Sequence, residues 1–222
     1  MRSAKGLVLS LFLGTLGCGG NAAGSGDVAQ NYLVEYDATQ ALTLVSASFS
    51  QDGGNLQLTT PAAVTANGTA LTFNALNFAT YPYTASVSGR VSVPIVFTDG
   101  QGRQYTNTIA TTGVPTIAYP TDFTGFPPFG TVDFAWSGSA VAAGETVILR
   151  VKGAAGSVRD YSTSTVGATT VRVDAGEING LSATQAALIR VTHPVLSQTT
   201  LAGGSLTVQY STGFRTIAVT PI

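Results

Sequence analysis

Cys18 is the only thiol and His193 the only imidazole in 222 residues. One of each cannot supply the three or four protein ligands of the usual zinc site. His193 stands before Pro194 at the end of an apolar-alternating run. To act as a general base it needs an orienting acid on one side and a nucleophile on the other. No Gly-x-Ser-x-Gly elbow marks a serine for that role, so the expected part of His193 is to close a strand, half exposed. Two facing carboxylates would suffice for glycoside hydrolysis, but spacing singles out no pair among the eleven acids. Asp99-Gly100-Gln101-Gly102 and Gln51-Asp52-Gly53-Gly54-Asn55 each offer one aspartate, where a calcium loop needs several converging carboxylates. Both read as hairpin turns, as does Asn67-Gly68-Thr69, although the last also fits a glycosylation acceptor. No catalytic residue, metal site or cofactor is expected.

Aromatic side chains are the remaining candidates for recognition. Tyr81 and Tyr83 alternate around Pro82 and are expected to share one side of an edge strand, where proline discourages unwanted pairing. They form the candidate recognition surface, suited to stacking on a sugar ring or anchoring a protein. Tyr119, Phe123, Phe126 and Phe129 fall in the segment YPTDFTGFPPFG, where packing is the expected role.

The elements that must position these groups are mostly strands. Runs at Leu42–Phe49, Leu56–Thr60, Leu71–Phe78, Val91–Phe97 and Tyr105–Thr111 are bounded by turn residues. A second series covers Val132–Trp136, Thr146–Lys152, Thr170–Val173, Ala187–Val191, Leu206–Tyr210 and Thr216–Val219. In it Val147, Leu149 and Val151 alternate with Ile148, Arg150 and Lys152, and Ile189 and Val191 oppose Arg190. Period-two alternation predicts one face in a core and the other in water. Ser182–Leu188 is the one stretch with a hint of helical turn. The fold class predicted is all-β: two tandem sandwiches at 27–118 and 131–222, joined by an aromatic and proline-rich linker at 119–130. A single sandwich or barrel of about 200 residues is the alternative.

Before these strands, Arg2 and Lys5 precede the apolar run Gly6–Leu16, and small residues surround the cysteine in Leu16-Gly17-Cys18-Gly19-Gly20. A basic start, a short apolar stretch and a small-residue exit predict a secretory signal peptide. The stretch is well below the roughly 20 residues that span a bilayer. It resembles the bacterial lipoprotein signal, whose lipobox ends in a cysteine that is acylated and becomes the mature N-terminus. Thr15 departs from that pattern, which prefers leucine three residues before the cysteine. The resemblance implies a signal at 1–17, lipidation of Cys18 and a membrane partner held through acyl chains. Gly19, where the family often places an inner-membrane aspartate, implies the outer membrane, with the periplasmic or surface face left open. An ordinary secreted protein cut near Ala22-Ala23 is the alternative. Residues 18–26 end in GGNAAGSG, a composition expected of a flexible tether.

Without a second cysteine the fold must rest on buried apolar area. Arg2 and Lys5 belong to the leader, leaving eight basic residues against eleven acidic ones. That balance is too weak, and of the wrong sign, for a nucleic-acid partner. Charged residues make up 9% of the chain beside abundant Thr, Ser, Val and Ala, which favours exported β-structure over disorder.

Phe134-Ala135-Trp136, Glu145–Val151 and the stretch from Thr170 to Asn179-Gly180-Leu181 resemble the early core-tryptophan strand, the next strand and a later strand and turn of fibronectin type III or related immunoglobulin-like domains. The tyrosine corner usual in that family is missing, since the chain reads Gln185-Ala186-Ala187-Leu188-Ile189 at that place. The resemblance implies immunoglobulin-like sandwiches; fold alone carries no function. Two expectations follow. One is a non-enzymatic interaction or structural lipoprotein, contacting an envelope protein, a neighbouring cell or its own copy. The other is a carbohydrate-binding accessory lipoprotein that meets a surface glycan through Tyr81 and Tyr83.

Overall fold

The structure, a computed structural model, describes residues 28–77, 80–153 and 156–219. The expected signal peptide, the tether and Cys18 lie outside these residues. Twelve principal strands are β1 (Ala29–Asp37), β2 (Leu42–Gln51), β3 (Ala63–Ala66), β4 (Tyr83–Ser88), β5 (Ser92–Thr98), β6 (Gln104–Ala110), β7 (Thr131–Ala135), β8 (Glu145–Gly153), β9 (Val158–Thr163), β10 (Thr170–Asp174), β11 (Ala183–Thr192) and β12 (Gly204–Ser211). One short helix, α1 (Ala175–Gly180), follows β10, capped by the Asp174 carboxylate accepting from Glu177 N. The fold is all-β, as expected.

A long sheet runs in the order β9-β8-β11-β12-β1-β2-β4, ending on the two-residue strand Thr72–Phe73. Strands β3, β5 and β6, with Thr69–Ala70, make a four-stranded sheet that faces its first-half portion. Alternate residues of the facing strands fill the space between. Tyr32 and Val34 of β1, Val45, Ala47 and Phe49 of β2, and Val93, Ile95 and Phe97 of β5 are all buried. Phe49 stacks on Phe97 with ring centroids 4.7 Å apart, and Tyr83 meets Phe49 edge-on at 5.6 Å.

A second core joins Val147, Leu149 and Val151 of β8 to Ala186 and Leu188 of β11, Val171 and Val173 of β10, Phe134 of β7, Ile178 of α1 and Trp136. The two cores do not divide the chain at the expected boundaries. Leu196, Leu206 and Val208, expected in the 131–222 body, pack in the first core. Phe126 and, partly buried, Tyr119 and Phe123 pack in the second, so this part of segment 119–130 is core rather than linker. Phe123 lies 5.0 Å from Phe134, and Gly125–Phe126 pairs with Ala218–Val219. Phe129 alone of that aromatic set is exposed.

The cores share β12. It runs parallel to β1 over the whole stretch Gln30–Asp37 against Gly204–Ser211, then meets β11 over Ile189–Thr192 against Val208–Ser211. Tyr210, in the overlap, touches both cores. β1 escaped the sequence reading because Gln30, Asn31 and Glu35 break its apolar rhythm, yet Gln30 is completely buried and accepts from the Tyr32 hydroxyl at 3.0 Å. β9 was not anticipated either.

Three further expectations change. Leu56–Thr60 is irregular backbone with Leu56 and Leu58 packed on the first core, and Ser182–Leu188 lies largely in strand β11 rather than a helical turn. Arg190 is not on a wet face. β11 is covered on both sides: Leu188 and Arg190 share one buried face, while Ala187, Ile189 and Val191 are buried on the other. The Arg190 guanidinium is fully satisfied. Its Nε and Nη2 donate to Glu145 Oε2 at 3.1 and 2.6 Å, and Nη1 and Nη2 donate to the carbonyls of Ser139 and Ala140. Glu145 Oε2 also accepts from Ala142 N, and Trp136 Nε1 donates to Ser139 O. A buried ion pair thus holds the loop under the core tryptophan.

Candidate functional site, an open sheet edge

The residues singled out from sequence are not brought together. Tyr83 is 6% exposed, its ring in the first core and its hydroxyl oxygen accepting from Leu58 N at 2.6 Å. Burial pushes the Tyr83 phenol up, partly offset by that hydrogen bond. Tyr81 is half buried, precedes β4 and has its phenol raised by burial. The side-by-side tyrosine surface is therefore corrected: one ring is core. Its sequence signal was ambiguous because alternation around a proline describes an inward and an outward face equally well.

His193 is exposed, and its Nδ1 lies 3.3 Å from Thr207 Oγ1. Asp99 is buried in its hairpin. Its Oδ1 accepts from Gln101 N and Arg103 N at 2.8 and 2.9 Å, and its Oδ2 accepts from Arg103 Nε at 3.0 Å. Burial by itself would raise the carboxyl, but these hydrogen bonds and the guanidinium outweigh it and hold Asp99 below the usual carboxylate range. The aspartate spends its acceptors on its own turn. Asn67 and Gly68 adopt φ of +49° and +77°, the left-handed pair of a tight hairpin. Among the described residues no three His, Cys, Asp or Glu side chains gather as a metal site.

No family model, curated protein or solved structure matches this chain.

What the topology does create is an open edge. After the Asn67-Gly68 turn, Thr69–Ala70 pairs with Thr65–Ala66 in the four-stranded sheet. Leu71, 8% exposed and anchored in the core, donates its N–H to Val64 O. Immediately afterwards Thr72–Phe73 pairs with Thr84–Tyr83 in the long sheet. The chain therefore changes sheets at Leu71, and among the described residues this leaves the later half of β4, Ala85–Ser88, paired only with Leu42–Val45 of β2.

Backbone polar groups alternate sides along a strand. Asn74 N donates to Pro82 O on the outer side, whereas Gly89 N donates to Ala41 O on the β2 side. By that alternation Ser86 and Ser88 present their N–H and C=O groups to the open side. A groove of about 500 Å³ runs along it, lined by Leu44, Thr69, Ala70, Thr72, Thr84, Ala85 and Ser86. None of these side chains is charged, and among the described residues no proline or lysine lines the groove. This contrasts with β9 at the other end of the sheet. There Arg150 clasps Asp160 through two bonds, and Arg159 pairs with Glu177. Sequence reading missed the site because small Ser, Thr and Ala side chains carry no motif; the site is made of backbone.

Proposed function

We propose that this protein is a lipid-anchored module of the bacterial envelope that works without catalysis, docking an extended segment of an envelope protein along the open edge of β4. The observation that carries this reading is the uncharged edge at Ser86 and Ser88, whose outward backbone groups and adjoining groove suit strand addition. Main-chain hydrogen bonds would supply affinity there. The small side chains of Thr69, Thr72 and Thr84 leave room for alternate residues of the incoming strand. The leader and Leu16-Gly17-Cys18 support membrane attachment through an acylated cysteine, and Gly19 favours the outer membrane.

Two experiments test the two parts. Cys18→Ser should move the protein out of the membrane fraction or stall its processing; mature, membrane-bound C18S protein would defeat the anchor. Ser86→Pro removes an outward N–H while leaving the β2 ladder in place. A photo-crosslinker at Thr84 should capture an envelope partner in the parent and lose it in S86P at unchanged melting temperature. Equal capture by both would defeat the edge.

A further inference from the structure

We propose that the end of the first core from which the chain leads back to Cys18 is a lipid-facing surface, with Val195 and Leu201 as its apolar contacts and Leu76 exposed at the same end. The inference rests on the lipidation of Cys18 proposed above.

Strand directions define this end. β1 and β12 start here and β2 finishes here, because Gln30, Phe49 and Gly204 share one level of the sheet. β11 runs toward this end, its last residue Thr192 opposite Val208, and β4 runs away from it, its first residue Tyr83 opposite Ala47. The loops gathered at this level include 193–203 and the segment before β4. In them Leu76, Val195 and Leu201 are 94%, 93% and 94% exposed, the three most exposed large apolar side chains among the described residues. Single exposed aliphatics are ordinary on protein surfaces. Three at one end, none of them in a strand, are a pattern.

The loop that carries two of them is firmly held. Leu196 is buried between them. Asn107 donates to Gln198 O at 2.7 Å and accepts from Gln198 N at 2.9 Å and from Ser197 Oγ at 3.1 Å. Gln198 Oε1 accepts from Thr106 N at 2.7 Å, and Thr200 Oγ1 donates to Val28 O. The loop is thereby fastened to the first described residue of the chain. Val195 and Leu201 are displayed by a braced loop rather than left over in a slack one.

Cys18 and Val28 are ten positions apart, and ten steps of fully extended chain reach at most about 36 Å. An acylated Cys18 in the membrane thus keeps this end of the body within that distance of the lipid. The end also carries little charge to desolvate. In its loops the charged residues are Asp52, Asp99 and Arg103, of which Asp99 is buried and paired with Arg103 at 3.0 Å. Apolar side chains on a nearly uncharged loop cluster fit the depth of roughly 5–10 Å reached by interfacial contacts.

The test uses the full chain, produced in a bacterium and reconstituted in vesicles of phosphatidylethanolamine and phosphatidylglycerol. Acylation occupies the native thiol, so Val195→Cys, Leu201→Cys and Val158→Cys each give one labelling position for a polarity-sensitive fluorophore. Val158 lies at the far end of the long sheet, opposite Lys152. Nitroxide lipids should quench the probes at 195 and 201 at least about twofold more than the probe at 158, with a blue-shifted emission. Equal, water-like signals at all three positions on acylated, membrane-bound protein would overturn the inference and leave the anchor standing. A blue shift without lipid quenching would overturn it in favour of a protein contact. An unmodified Cys18, read by mass spectrometry and by labelling of the parent, would remove anchor and inference together.

Discussion

Gln209 Nε2 donates to Glu35 Oε2 at 2.7 Å, joining side chains 174 positions apart. The two residues face each other in the parallel β1–β12 ladder. Leu206 and Val208 from the same strand complete a core otherwise drawn from residues before 115, apart from Leu196. Tyr210 then passes on to the second core, and the Arg90 guanidinium lies over the Tyr36 and Tyr210 rings at 5.8 and 5.1 Å.

Leu206→Ala should cost about 2–5 kcal/mol, as expected for emptying a buried aliphatic site. Because β12 is common to both cores, the loss should be felt by Trp136 in the other one. Chemical unfolding followed by tryptophan fluorescence and by far-UV circular dichroism should show one shifted, coincident transition. A fluorescence midpoint that stays put while the dichroism midpoint falls would show that the cores unfold separately.

Trp136→Ala should destabilise by about 3–5 kcal/mol. The ring is 6% exposed, and its N–H donor to Ser139 O disappears with it. A variant with the parent's melting temperature would mean that the ring is not part of the second core.

Arg190→Ala should cost about 3–5 kcal/mol, since it leaves the Glu145 carboxylate buried without its cation. Double substitution of Arg190 and Glu145 by methionine should recover much of that loss, which thermal melts of the three variants would show. An Arg190→Ala protein as stable as the parent would contradict the buried pair.

Asp99→Asn should lower stability at neutral pH by about 1–3 kcal/mol by weakening the bonds that close its hairpin. Asp99 has a folded pKa below its unfolded value, so its contribution is complete above the unfolded value of about 3.9 and is lost as pH falls through the folded one. The gap between parent and variant should therefore be constant from neutral pH down to about 4 and close below it. Denaturant titrations across that range give the answer; a gap that widens in acid would contradict the assignment.

The sequence is legible where one face of a strand is wet. Val147, Leu149 and Val151 alternate with less buried neighbours, and the expected strand Thr146–Lys152 is β8 to within one residue at each end. It is misleading where both faces are buried. In β11 the charge of Arg190 implied water, but a carboxylate 45 positions earlier neutralises it. It is silent where burial is polar, as with Gln30 in β1, and where the site is backbone, as at Ser86 and Ser88. Tyr81 and Tyr83 looked like a pair because spacing in a strand reports sides, not depth. Which half of the molecule Leu206 and Val208 would join could not be read at all, since their alternation fits either core equally.

The parallel partnership of β1 and β12 also sets a timetable. A ribosome makes Asp37 long before Ser211, so the first core stays unclosed until β12 has been made. Domains usually consolidate from the N-terminus during synthesis; this one has to wait for a late, distant contact, and such contacts form slowly. A growing chain that stops short of Gly204 lacks Leu206 and Val208, so its first core stays open along β1.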